Sequence, residues 1–392
     1  MSISSARPRI KRVFPWLSID DKIFIQRCGG VLEIDDPAGM VQRLFTLLDG
    51  TRTCKQVHQT LVATFPDISL DDILTTVAQL DKEGTVEDAG SSAPDDDYAA
   101  RRWVRDLGFL ETYATLAISK HELHRRLREC RVALLGVGGV GSHVLYDLLG
   151  LGIKDIRIVD FDTVELSNLN RQILYREADI GRRKTEVALE RAVEFSPTTH
   201  VDAVQLRISS ADDVLSVVGD RDVVIATVDQ PKMSVVRWVN EGCVRAGVTL
   251  IAGGVDLQRS IFYTIIPGQT GCVECWCIQS AERDEVSARI SAELARLELE
   301  LSPGERFGQD MAAFGPLVTC HTASVITELV RIATGIEPPV AAGRSMEVRI
   351  ADFTVREMER WDRVSDCRVC GVPRLPRPQT ASPVVTSATV VA

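Results

Sequence analysis

The stretch RVALLGVGGVGSHVLYDLLGLGIKDIRIVDFDTVELSNLNRQILYREADIGRRK, residues 131–184, decides the fold. An apolar run, 132–135, precedes a glycine-rich turn, 136–141, and a helix-like stretch follows the turn. A second apolar strand, 156–159, then ends at Asp160. This order of strand, glycine loop, helix and strand is typical of the mononucleotide-binding half of a doubly wound parallel sheet.

The glycine turn predicts a nucleotide site. Gly136, Gly138, Gly139 and Gly141 let the backbone approach a phosphate or a ribose closely, and the N-terminus of the next helix favours negative charge. Asp160 follows about 20 residues later, where an acid usually binds the ribose hydroxyls. This fingerprint alone fits NAD as well as ATP.

The polar residues after the second strand favour ATP. Asn168, Arg171 and Gln172 lie in the loop SNLNRQ, and Lys184 lies on the next helix. A dehydrogenase does not need this set directly after its ribose acid. A site that holds a triphosphate and stabilises charge on a reacting α-phosphate does. The alternative, ordinary surface charge, is disfavoured because these residues follow a nucleotide fingerprint.

The combined pattern resembles the adenylating enzymes that activate ubiquitin-like proteins and sulfur carriers, the ubiquitin-activating, ThiF and MoeB superfamily. The resemblance runs from about residue 102 to residue 370, through GVGGVG, DFDTVELSNLNRQ, DIGRRK, Asp229 and two CxxC pairs. Within the superfamily, TVDQP, RWVNEGCVRAG and PGQTGCVEC most resemble the microcin C peptide-adenylating enzymes. The resemblance implies an α/β fold: a doubly wound Rossmann-like adenylation domain that uses ATP and Mg²⁺.

The resemblance also implies roles for single residues. Arg171 and Lys184 would stabilise the phosphates, and Asp229 would hold Mg²⁺ near the α-phosphate. Arg105, in RWVR, matches an arginine that reaches across a homodimer to the ATP of the partner; the alternative is a solvated arginine on a helix. The nucleotide would be bound by Gly136, Gly138, Gly139, Gly141, Asp160, Asp162, Asn168 and Gln172.

Four of the ten cysteines form two CxxC pairs. The pairs are CVEC, Cys272 and Cys275, and CRVC, Cys367 and Cys370. Two such turns can complete a tetrahedral zinc site with no open position, so this zinc would be structural. The superfamily has a zinc site in the same two places. Redox pairs are the alternative, and they are disfavoured because neither pair is expected to begin a thioredoxin-like helix.

Two further cysteines are candidates for a thioester, because some relatives pass the acyl group to a cysteine. Cys320 lies beside His321, and Cys277 follows the first CxxC pair. Adjacent residues of a helix point in different directions, and the helix around Cys320 reads as buried. A structural role is therefore favoured for both. His143 is expected to pack beneath the glycine loop.

Residues 1–88 are predicted to form a winged-helix-like α+β domain. Three strands, near 13–17, 22–27 and 31–34, precede three helices. The first helix should begin at Pro37, and Thr53 and Ser69 should precede the other two. The pattern resembles the PqqD-like domains that bind a leader peptide as an added strand. A helical lid or a dimerisation domain is the alternative.

The remaining boundaries follow from composition. AGSSAPDDD, 89–97, predicts a linker, and 98–371 would be the adenylation domain. A charged segment, 280–308, resembles the superfamily's crossover loop over the substrate carboxylate and reads as partly helical. The Pro-, Ser- and Thr-rich tail, 372–392, is expected to be disordered.

Charge and composition narrow the function. A net charge of −10 argues against a protein that coats nucleic acid, and the sequence has no apolar signal or membrane stretch, so we expect a cytoplasmic protein. We expect ATP-dependent adenylation of a carboxylate, the C-terminal one, of a ribosomally made precursor peptide, with release of pyrophosphate. The alternatives are adenylation of a ubiquitin-like sulfur carrier, a non-catalytic leader-peptide delivery protein on the same fold, and a nicotinamide oxidoreductase.

Overall fold

A computed structural model describes residues 3–90, 97–300 and 313–371. The chain divides into two compact units, Met1–Arg126 and Leu127–Ala392. The predicted tail, most of the predicted linker and the end of the predicted crossover segment lie outside the described residues. The predicted domain boundaries stay predictions.

The first unit mixes short strands with helices. Its strands are β1 (Pro8–Ile10), β2 (Trp16–Ile19), β3 (Lys22–Arg27), β4 (Gly30–Asp35) and β5 (Val86–Asp88). The helices are α1 (Met40–Leu47), α2 (Cys54–Leu61), α3 (Leu70–Lys82), α4 (Asp97–Arg102), α5 (Val104–Glu111) and α6 (Lys120–Glu129), which ends beyond the division. β2, β3 and β4 form an antiparallel sheet, and β1 pairs with β5.

Side-chain caps set the starts of three helices here. Thr53 and Ser69 cap α2 and α3 as predicted, each in a capping box. The prediction that Pro37 begins α1 is wrong, because Pro37 lies in a turn and α1 begins at Met40. The Asp36 carboxylate instead accepts hydrogen bonds of 2.9 and 2.8 Å from amides of the first turn, which would otherwise have no partner in the helix.

The second unit carries the long sheet. Its strands are β6 (Arg131–Leu135), β7 (Asp155–Asp160), β8 (His200–Gln205), β9 (Val223–Ala226), β10 (Thr249–Asp256), β11 (Arg259–Ile265), β12 (Arg344–Arg349) and β13 (Val355–Arg360). The helices are α7 (Gly139–Leu151), α8 (Lys184–Phe195), α9 (Ala211–Val218), α10 (Ser234–Ala246), α11 (Val273–Arg283), α12 (Glu285–Leu299) and α13 (Gly315–Thr334).

The strand order is β13-β12-β11-β10-β9-β6-β7-β8. β10, β9, β6, β7 and β8 are parallel, and β11, β12 and β13 extend the sheet antiparallel. From β6 the chain winds outward to β7 and β8, and then returns to β9 on the other side of β6. The order therefore reverses between β6 and β9, and ligands of such sheets bind at the carboxyl ends of the strands beside that point.

Helices cover both faces of this sheet. Alternate residues of β6 enter two different cores: Leu134 packs with α7, α8 and α13, whereas Leu135 packs with α9 and α10. This alternation is the two-residue period of a strand that is buried on both sides. The predicted doubly wound α/β fold is confirmed.

Several regions differ from the prediction. The strand predicted near 13–17 is β2, Trp16–Ile19, and β1 and β5 were not predicted. Residues 98–128, rich in Arg and Leu, read as one helix in the sequence, but the structure has three, α4, α5 and α6, with a loop over 112–119. β13 was not predicted, because most of its residues are exposed and no apolar alternation marks it. Among the described residues, no helix is long and apolar enough to cross a bilayer.

Candidate nucleotide site and cysteine cluster

The glycine loop leaves β6 and starts α7. Gly136 has a φ of +93°, which glycine adopts without strain. A Cβ atom at Gly141 would lie 2.1 Å from the carbonyl oxygen of Gly136, so a side chain there would collide with the loop. The loop therefore turns tightly and sets the N-terminus of α7, with its free amide groups, at the carboxyl end of β6.

Asp160 ends β7 and is 8% exposed. Its Oδ2 accepts a hydrogen bond of 2.8 Å from the amide of Val137, and its Oδ1 accepts one of 2.8 Å from the amide of Asp162. Burial raises the pKa of Asp160, and the charge of nearby Lys184 opposes that shift. Since a carboxylate oxygen can accept more than one hydrogen bond, Asp160 can fix both loops and still accept a hydroxyl group.

Lys184 is a buried cation beside this carboxylate. It is the first residue of α8 and is 5% exposed. Its Nζ donates to Oδ2 of Asp162 at 3.0 Å, and its amide donates to the carbonyl oxygen of Asp162 at 2.9 Å. The side chain of Asp162 is 43% exposed. The ammonium group has three donors, so this pairing leaves capacity for a phosphate oxygen.

Arg171 and Gln172 lie against the glycine loop. A Cβ atom at Gly139 would lie 3.4 Å from Nε of Arg171, and one at Gly138 would lie 3.7 Å from Nε2 of Gln172. Within the described part of the chain, Oε1 of Gln172 is buried and has no hydrogen-bond partner. Because an unpaired buried polar atom is costly, this atom marks a place for a polar ligand or a water molecule.

Asn168 and His143 shape the loop around Arg171. Oδ1 of Asn168 accepts a hydrogen bond of 3.1 Å from the amide of Glu165, so the buried amide closes its own 3₁₀ turn. Nε2 of His143 lies 3.2 Å from the carbonyl oxygen of Arg171, in keeping with packing beneath the loop. The guanidinium of Arg171 donates to two oxygens of its own loop, at 3.1 and 2.9 Å.

Asp229 follows β9, the neighbour of β6. Two residues earlier, Oγ1 of Thr227 donates to the carbonyl oxygen of Gly136 at 2.9 Å, which ties this segment to the glycine loop. The carboxylate of Asp229 is exposed, and no other described residue bonds to it. Arg105 lies on α5 in the first unit, is also exposed, and makes no ion pair with a described residue.

The two CxxC pairs meet at one point. Their sulfur atoms all lie within 4.8 Å of one another and are buried. Three Sγ–Sγ distances are 3.7 Å (Cys272–Cys367), 3.9 Å (Cys272–Cys275) and 3.3 Å (Cys275–Cys370). A tetrahedral zinc with bonds of about 2.3 Å separates its sulfur ligands by about 3.8 Å, so the cluster has the size of such a site. Burial raises the pKa of Cys275 to about 11, and a bound divalent cation would hold the thiols ionised.

The first CxxC pair begins a helix, contrary to the prediction. Cys272 is the N-cap of this helix, α11. The convergence of the second pair on the same point nevertheless favours a metal over a dithiol. Cys320 and His321 do not form a pair, because Nδ1 of His321 instead lies 3.2 Å from Oγ of Ser260. Burial raises the pKa of Cys277, which disfavours its thiolate.

Sequence reasoning missed two supports of the glycine loop. The hydroxyl of Tyr175 donates to the carbonyl oxygen of Val137 at 2.7 Å, and burial raises the pKa of this phenol. Thr227, described above, holds the other side of the loop. Tyr175 lies three positions after Gln172, and Thr227 lies two positions before Asp229, so the available signal was a hydroxyl-bearing residue close in sequence to a predicted site residue.

The sequence pattern of the ThiF family matches residues 111–369. The chain belongs to the ThiF family. The sulfur carrier protein ThiS adenylyltransferase of Escherichia coli (strain K12) is 26% identical over 248 residues, 63% of this chain and 88% of that protein. The Nedd8-activating enzyme E1 catalytic subunit of Drosophila melanogaster is 33% identical over 168 residues, 41% of this chain but only 37% of its own length. The chain thus spans less than half of that eukaryotic relative.

Solved structures share the fold over nearly the whole chain. The complex of E. coli MccB with ATP has a TM-score of 0.71 and 21% identity, over 93% of this ThiF-family chain and 99% of MccB. The Microcin C7 biosynthetic enzyme MccB with N-formylated MccA has a TM-score of 0.71 and 20% identity, with the same coverage. PaaA has a TM-score of 0.67 and 22% identity, over 90% and 100% of the two chains. The predicted similarity to the microcin C enzyme is therefore confirmed for the fold.

Proposed function

We propose that this ThiF-family protein adenylates a carboxylate, using ATP and releasing pyrophosphate. The observation that carries the proposal is the convergence of the predicted nucleotide residues at the carboxyl ends of β6, β7 and β9. Gln172 and Arg171 face the glycine loop, and the buried Lys184 pairs with Asp162 beside the carboxylate of Asp160. A nicotinamide enzyme has no need of this basic set next to its phosphates.

In the proposed reaction, the substrate carboxylate attacks the α-phosphorus of ATP, and the bond to the pyrophosphate oxygen breaks. The protein supplies position and charge. Arg171 and Lys184 stabilise the negative charge on the phosphates, and Gln172 and the amides at the start of α7 orient them. Asp160 accepts hydrogen bonds from the ribose, and Asp162 holds Lys184 in place.

The proposed function includes two metal ions, Mg²⁺ and Zn²⁺. Asp229 has an exposed carboxylate two residues after Thr227, which is bonded to the glycine loop. Such a carboxylate suits a hard cation such as Mg²⁺, which would neutralise charge on the phosphates when bound. The cysteine cluster, with four ligands and no open position, suits a structural Zn²⁺. Reduced thiols in that cluster fit a reducing compartment such as the cytoplasm.

We propose a ribosomally made precursor peptide as the substrate. Support comes from the fold shared with MccB, whose solved structures include complexes with MccA, and from the small α+β first unit. That unit would bind the leader segment of the peptide, as PqqD-like domains do. Arg105, exposed on α5, would reach the ATP of a second copy, so the active form would be a homodimer.

Pyrophosphate release tests this function. Synthetic peptides with a free C-terminal carboxylate should elicit release with ATP and Mg²⁺, and the same peptides with an amidated C-terminus should not. Lys184→Ala and Arg171→Ala should abolish release without unfolding the protein. Arg183→Ala is the matched control, since Arg183 is the cation next to Lys184, its side chain is 59% exposed, and it pairs only loosely with Glu186, at 3.8 Å. Full turnover in Lys184→Ala would refute the assignment.

A further inference from the structure

Helix α12 is exposed along most of its length but buries one charged side chain. Glu298 is 8% exposed, and it is the one buried side chain among those described on this helix. On the same helix, Glu293 is 57% exposed and pairs with Arg296. A glutamate is seldom buried unless its charge is satisfied, so the surroundings of Glu298 indicate a specific contact.

That contact is the N-terminus of α10. The carboxylate of Glu298 accepts hydrogen bonds from the amide of Met233 (3.1 and 3.0 Å), the amide of Ser234 (3.0 Å) and the hydroxyl of Ser234 (3.1 Å). Met233 is the N-cap of α10 and provides no side-chain cap of its own. Glu298 thus supplies the missing cap from a distant part of the chain, and its negative charge suits a helix N-terminus.

The segment held by this cap carries Asp229. It runs from Thr227, after β9, to Met233, before α10. Oγ1 of Thr227 fixes the first end by donating to the carbonyl oxygens of Leu135 and Gly136, at 3.1 and 2.9 Å. Glu298 fixes the second end, so Asp229 lies on a short span between two anchors.

We infer that Glu298 is a positioning residue, which ties helix α12 to the segment that places Asp229 for its cation. The inference rests on the proposed function, in which Asp229 holds Mg²⁺. Helix α12 belongs to the crossover segment expected to pass over the substrate. A shift of this helix would therefore change both the segment expected to pass over the substrate and the position of Asp229.

The test measures the Mg²⁺ concentration that gives half-maximal ATP binding. In Glu298→Ala this concentration should rise about tenfold, since several hydrogen bonds of the anchor are lost, while the ATP affinity without Mg²⁺ stays unchanged. Hydrogen exchange should become faster in residues 228–235. Glu293→Ala, which removes the same charge from an exposed site of the helix, should change neither quantity. Glu298→Ala should have no further effect in an Asp229→Asn background.

The outcomes separate this inference from the proposed function. If wild type binds ATP but Glu298→Ala leaves the Mg²⁺ dependence unchanged, Glu298 is only a structural cap and the inference is overturned. If Glu298→Ala does not fold, Glu298→Gln decides, with a shift of at least about threefold expected because the amide replaces a charged acceptor by a neutral one. If wild type binds no ATP at all, the proposed function itself fails, and the inference fails with it.

Discussion

At the scale of single residues, alanine substitutions at two glycines of α7 should have opposite effects on stability. A Cβ atom at Gly141 would lie 2.1 Å from the carbonyl oxygen of Gly136, whereas one at Gly150 meets nothing within 4 Å. Gly141→Ala should therefore destabilise the protein by more than about 2 kcal/mol and weaken nucleotide binding. Gly150→Ala, in the same helix, should stabilise it by up to about 1 kcal/mol. Urea unfolding measures the stability change in both variants, and equal changes would contradict the described glycine loop.

The burial of His321 predicts that the stability of the protein depends on pH. Its ring is fully buried on α13, and burial lowers the pKa of His321 from 6.5 to about 4. Below pH 6.5 the unfolded chain binds a proton that the folded chain does not bind, so stability falls as the pH falls towards 4. Between pH 7 and pH 5 this loss is about 2 kcal/mol. His321→Gln should show a correspondingly smaller loss in urea unfolding; an unchanged pH dependence would show that His321 does not titrate as described.

At the scale of elements, the cysteine cluster joins the start of α11 to the chain that follows β13. Purified protein should contain about one zinc per chain, and Cys272→Ser should lose it and melt about 10 °C lower, because ligand loss removes folding free energy. Cys320→Ser, outside the cluster, should keep both zinc and melting temperature. Metal analysis and calorimetry measure these quantities. Full zinc retention in Cys272→Ser would contradict the four-cysteine site.

Elements with a strong local signal were predictable from the sequence. The glycine turn predicted a helix after β6, although α7 begins at Gly139, inside the predicted turn; Thr53 and Ser69 predicted the starts of two helices. Pro37 gave a wrong start for α1, because the signal for an N1 proline is local. Asp36 instead caps α1 through a longer turn. β13 was not predicted because no hydrophobic alternation marks its sequence. It is a strand because of its place in the sheet.

At the scale of the whole molecule, the doubly wound sheet and the meeting of the CxxC pairs were predictable, because the motifs that encode them are specific. The contact of Glu298 with the start of α10 was not, since it joins residues more than sixty positions apart without any pattern in the sequence. The same holds for Tyr175, whose hydroxyl reaches back to the glycine loop. Long-range polar contacts of this kind depend on the packed fold.

The proposed function requires that the glycine loop and its basic neighbours bind ATP. Calorimetric titration of ATP with Mg²⁺, and separately of NADH, into wild type, Lys184→Ala and the control Arg183→Ala tests it most directly and needs no peptide. We expect wild type and Arg183→Ala to bind ATP, Lys184→Ala to lose this binding, and NADH not to bind. Binding of NADH without ATP, or equal ATP binding by Lys184→Ala and wild type, would contradict this requirement.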